Sequence, residues 1–133
     1  GQALMPASAY EKAKVRELIK QLELYIELPA RTCFAEAFFG GTVSEETKDK
    51  ARASLKKGVE CIKRTGKFSP YIAGDTFTYA DIMFMYSVSL AGACAKRVLG
   101  MDLLEDLPEA KALSELLASR ASAQKIAADQ KAG

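Results

Sequence analysis

Three thiols are the side chains in this sequence with the most reactive chemistry. Cys33, Cys61 and Cys94 could attack a substrate or hold a metal, but only as thiolates, which need a helix N-terminus, a cation or an imidazole beside them. None stands at an expected helix start, and no CxxC pair occurs. The 133 residues include no histidine, which removes Ser-His-Asp and Cys-His arrangements and the commonest zinc ligand. An odd number of cysteines, widely spaced, does not build a disulfide framework and fits a reducing cytoplasm. The thiols therefore read as small buried apolar residues. No catalytic residue and no metal site is assigned.

A second cluster has chemistry of a structural kind. Phe77-Thr78-Tyr79-Ala80-Asp81-Ile82 is a complete helix-start device. Thr78 as N-cap can accept from the Asp81 N–H while the Asp81 carboxylate reaches back to the Thr78 N–H, satisfying two orphan donors at once. Phe77 before the cap and Ile82 in the first turn are spaced as a hydrophobic staple. Asp81 is thus read as a structural carboxylate rather than a general acid or base.

The helix behind this device carries no charge from Ile82 to Ala95 and is apolar all round, which predicts a central position in a bundle. A membrane span is the competing reading, but the uncharged stretch falls short of the ~20 residues a bilayer requires and contains Ser87, Ser89 and Gly92. Upstream, Ser8 and Glu11 form a capping-box pattern, followed by apolar residues at Val15, Leu18, Ile19, Leu22, Tyr25 and Ile26 with helical spacing. Pro29 interrupts this pattern, yet it resumes at Cys33, Phe34 and Phe38, predicting a bent continuation closed by Gly40-Gly41. Ser44 begins a further helix with buried stripe Ala51, Leu55, Val59 and Ile62, closed by Gly66. Its lysines and arginines read as a solvated face, because Glu46 with Lys50 and Glu60 with Arg64 stand at i, i+4 spacing.

Residues 68–75 read as an ordered loop. After Gly100 come Leu103, Leu104 and Leu107. Pro108 then opens a helix bearing Leu113, Leu116 and Leu117, and a last short helix holds Ile126. The fold class is all-α, a helical bundle of about five or six helices around an apolar central helix.

The bulk composition agrees with one soluble domain: 49% hydrophobic and 27% charged residues place the chain far from disordered sequences. Nineteen basic against 17 acidic residues leave a formal charge of +2, too weak a field to attract a polyanion, so nucleic acid is not expected as a partner. No membrane partner is expected either. The opening Gly1-Gln2-Ala3-Leu4-Met5-Pro6 has no apolar stretch of signal-peptide kind.

The segment Ser69-Pro70-Tyr71-Ile72-Ala73-Gly74-Asp75-Thr76-Phe77-Thr78-Tyr79-Ala80-Asp81 resembles the loop and core-helix start in the C-terminal domain of the glutathione transferase family, in its bacterial cytosolic form. Leu4-Met5-Pro6 is similar to the family's interdomain linker, and residues 15–34 to the domain's long first helix. Leu107-Pro108-Glu109 and Arg120-Ala121-Ser122-Ala123-Gln124-Lys125 look like its closing helices, with Ala121 where a proline often stands.

The resemblance implies residues 1–8 as the remnant of a linker, 9–133 as the helical domain, and a thioredoxin-like N-terminal domain that is absent here. That domain would bind and activate glutathione, the cosubstrate of the parent; this chain holds no cofactor of its own. The implied role of the helices is one wall of the pocket for a small hydrophobic electrophile, plus part of a homodimer surface. Residues placed on that wall are Tyr25, Pro29, Arg31, Thr32 and Cys33 from the first helix and Leu90 and Cys94 from the central one. Arg31 would steer an anionic group. Domains of this type also serve as non-catalytic protein-protein interaction modules, and that is the alternative function.

Overall fold

A computed structural model describes residues 4–132, with side chains as far as Ala121. Six α-helical segments and two π-helical turns are present, and no strand occurs among the described residues. α1 (Ala9–Leu22) is capped by Ser8, whose hydroxyl accepts the Glu11 N–H at 3.1 Å. Only this forward half of the capping box forms. α1 runs into a π-helical turn, Glu23–Glu27, and then α2 (Leu28–Arg31) and α3 (Phe34–Phe38).

The expected bend therefore takes the form of a change in helical register. Pro29 has no N–H to offer the Tyr25 carbonyl, and the turn just before it widens, with the Leu28 N–H reaching Glu23 O. Against this widened turn lies Gly58 of α4 (Glu45–Thr65), so close that a Cβ there would come within 2.9 Å of the Tyr25 carbonyl carbon and nearer still to its oxygen. Ser44 caps α4 through the Thr47 N–H, and Ala51, Leu55, Val59 and Ile62 form its buried stripe. Glu36 ties the connecting loop down: its carboxylate accepts the Val43 N–H at 3.1 Å and pairs with Lys48 at 2.9 Å. The basic face of α4 is solvated, with Lys50 on Glu46 and Arg52 on Asp49; the Glu60–Arg64 pair does not form.

α5 (Tyr79–Cys94) packs against α1, the Glu23–Glu27 turn, α2, α3 and α6, and continues through a π-helical turn, Ala95–Leu99, to Gly100 at φ 63°. Its inner face is Phe84, Ser87, Val88, Ala91 and Cys94. Its apolar residues do not all point inward, however: Ile82, Met85 and Tyr86 lie exposed. α6 (Pro108–Ala132) begins at Pro108 and runs on without a break, so the separate last helix does not exist; the side chain of Ile126 lies outside the described residues. Leu103, Leu107, Leu113 and Leu117 join the core, whereas Leu116 stays at the surface.

Candidate functional site

The start of α5 is held by several buried hydrogen bonds. The capping box is present: the Thr78 N–H donates to Asp81 Oδ2 at 2.8 Å, while Thr78 Oγ1 accepts the Ala80 N–H at 3.2 Å in place of the expected Asp81 N–H, which donates to the Thr78 carbonyl at 3.0 Å. The second oxygen of Asp81 takes a bond that the local pattern does not show, from the Ile72 N–H at 2.9 Å. One fully buried carboxylate thus holds both ends of the 72–78 segment. Burial pushes its pKa above the ordinary carboxylate value, against the pull of the Ile72 and Thr78 bonds.

The staple takes other partners than expected. Phe77 meets the Tyr71 ring edge-on at 5.9 Å and lies beneath the Arg120 guanidinium at 4.1 Å, while Arg120 also reaches the Tyr71 hydroxyl at 3.4 Å. Ile82 is 39% exposed instead of being pinned beneath Phe77. The cause is geometric, since an arginine arriving from α6, about forty residues along the chain, covers Phe77 more completely than a neighbour on the same helix can.

The residues proposed for a pocket wall do not converge on one concavity in this chain. Tyr25 and Pro29 line a groove of about 380 Å3 between the first helical rod and α4, together with Leu24, Gly58 and Cys61, under Lys57 and Arg64. Arg31 is at the surface, its guanidinium 3.4 Å from the buried carboxylate of Glu27. The Thr32 hydroxyl donates to Pro29 O at 2.7 Å, and Leu90 is half-buried on α5.

Cys33 and Cys94 require correction as wall residues. Both are fully buried, because Cys33 continues the inward series Leu22, Ile26, Ala30, and Cys94 the series Phe84, Val88, Ala91. Burial, with Cys33 nearby, pushes the Cys94 thiol up to about 11, so at neutral pH it is no nucleophile. Cys61 is the partly exposed thiol. Alkylation of the folded chain followed by mass spectrometry is expected to modify Cys61 first and to reach Cys33 and Cys94 only on unfolding. Rapid labelling of Cys94 in the native state would contradict this burial.

Among the described residues no three histidine, cysteine, aspartate or glutamate side chains gather as metal ligands. The family can be stated outright: residues 30–128 match the glutathione S-transferase C-terminal domain, and the chain belongs to that family. It is also 54% identical over 132 residues to a glutathione S-transferase of Pseudomonas putida. That match covers 99% of this chain but 60% of the relative, so the chain spans less than two thirds of that protein's length.

Proposed function

We propose that this chain is the acceptor-binding half of a glutathione transferase, with glutathione bound and its thiol activated by groups outside these residues. The observation that carries the reading is the row Leu24, Tyr25 and Leu28, each between 41% and 46% exposed around Pro29. Large apolar side chains held in water on a rigid rod suit the wall of a site for a small hydrophobic electrophile. Arg31, steadied by Glu27 four residues back, is a fixed positive charge at the end of that row and would meet an anionic substituent. The reading carries with it a cytoplasmic location, and a homodimer in which part of the apolar surface is covered.

Two measurements test it. Calorimetric titration of this chain with glutathione is expected to show no binding, whereas the full-length protein conjugates glutathione. In the full-length protein, Tyr25→Ala is expected to raise the KM for the electrophile about fivefold while the KM for glutathione stays put, as removal of uniform binding to one substrate requires. Micromolar binding of glutathione by this chain would overturn the division of labour. A full-length protein with no affinity for glutathione would favour the interaction-module reading instead.

A further inference from the structure

A hollow of about 520 Å3 lies at the C-terminal end of α5, between that helix, the 100–104 segment and the first turn of α6. It shares no lining residue with the groove at Tyr25. Its floor is apolar: Val88 and Leu103 are buried, and Met101 and Leu104 are half-buried. Gly92 stands one turn beyond Val88 on the same ridge of α5, and Lys96 follows after another turn. Glycine is, after proline, the poorest residue for a helix interior, so its place here needs a reason. Its backbone is ordinary α-helix, and a Cβ there would meet nothing within 4 Å. Neither a positive φ nor a close neighbour demands it, in contrast with Gly58 against the Tyr25 carbonyl. The missing side chain serves to keep the hollow open.

The rim says for what. Lys96 is exposed and pairs with no carboxylate among the described residues. Lys111 meets Asp102 at 3.3 Å with both side chains more than half exposed, a surface pair that another acceptor can displace at little cost. Two ammonium groups against one carboxylate leave the rim with one positive charge in excess. An apolar floor bounded by that charge suits a molecule with an apolar body and a single negative group, and the lysine stems extend the apolar surface up to the charge. We infer that this hollow binds a small amphipathic monocarboxylate, its chain lying across Gly92 onto Met101 and Leu104 and its carboxylate on Lys96 and Lys111. The volume falls within the range of about 300–1,000 Å3 usual for small-molecule sites. Gly92 is also about 20 Å along α5 from Tyr79, whose N–H bonds the Leu4 carbonyl where the chain enters the domain, so an occupant does not obstruct that entry. The inference stands independently of the transferase reading.

Calorimetric titration of the full-length protein with decanoate, kept below its micellar range, tests the site. One decanoate is expected to bind per chain, with decanol and decylammonium at least about tenfold weaker because neither offers the lysines an anion. Gly92→Leu puts a side chain into the hollow and is expected to weaken decanoate at least about tenfold while the helical circular dichroism stays unchanged. Lys96→Gln combined with Lys111→Gln is expected to weaken decanoate at least about fivefold and to leave decanol where it was. Tyr25→Ala, on the other groove, should change nothing. No heat from decanoate up to about 1 mM, undiminished affinity in Gly92→Leu, or decylammonium bound as tightly as decanoate would each overturn the inference. Uptake of many decanoate molecules per chain would mark detergent-like adsorption and overturn it too. Binding lost in Tyr25→Ala and kept in Gly92→Leu would place the acid on the electrophile wall, with the same consequence. Should Gly92→Leu fail to fold, Gly92→Ala takes its place, with decanoate expected about threefold weaker; unchanged affinity there overturns the site.

Discussion

Asp81→Ala is expected to destabilise the isolated chain by about 3 kcal/mol and to lower its melting temperature by about 10 °C. A helix cap by itself is worth about 1 kcal/mol. The larger figure follows from the second oxygen: with the carboxylate gone, the Ile72 and Thr78 N–H groups are both stranded in the core, at about 1–3 kcal/mol for each buried orphan. Thr78→Ala removes only a hydroxyl that accepts from the Ala80 N–H, so it is expected to cost about a third as much. The pH dependence gives an independent check. Because the folded-state pKa of Asp81 is raised, folded protein keeps a proton that unfolded chain has lost in the window between the ordinary and the raised value. Stability from this group is therefore greatest below the ordinary value of 3.8 and declines as pH rises through the raised one. The gap between wild type and Asp81→Ala in denaturant melts should widen on acidification across that window. A gap that narrows would mean that the Ile72 and Thr78 bonds outweigh burial, and equal losses for the two variants would mean that the Ile72 bond contributes nothing.

The contrast between those two variants also shows what the sequence could reveal about this site. Thr78 with Asp81 is legible because a capping box is local: donor, acceptor and spacing all lie within four residues. The same holds for Ser44 at the start of α4 and Pro108 at the start of α6. The Ile72 bond joins the core helix to a loop nine residues earlier, and no periodicity encodes it. Arg120 over Phe77 is further out of reach, since it joins α6 to a loop some forty residues earlier. The uncharged run of α5 fails in another way. Amphipathic contrast is what identifies a buried face, and a segment without charges offers none, so the inward Phe84 and the outward Tyr86 look alike in sequence. The family resemblance implies Cys33 and Cys94 as wall residues, whereas each continues an inward series of the helix that carries it and is buried.

The register change at Glu23–Glu27 makes a prediction with unusual contrast. Gly58→Ala is expected to destabilise the chain by about 2 kcal/mol, although alanine is the better helix former by about 1 kcal/mol. The reason is that the new methyl meets the Tyr25 carbonyl, which is backbone and cannot swing aside. Relief requires moving the π-helical turn off α4, and with it Ile26, whose Cδ1 would lie 3.0 Å from the same methyl. Gly92 of α5 is the internal control. A Cβ there meets nothing within 4 Å, so Gly92→Ala is expected to stabilise by about 0.5–1 kcal/mol through the loss of unfolded-state freedom. The same chemical change should thus carry opposite signs on two helices of one domain, as read from paired denaturant melts. Gly58→Ala also reaches the candidate groove, because Gly58, Tyr25 and Pro29 line it together. In the full-length protein the variant should raise the KM for the electrophile along with losing stability. If both glycine variants stabilise, α4 does not approach Tyr25 this closely, and the widened turn owes its shape to Pro29 alone.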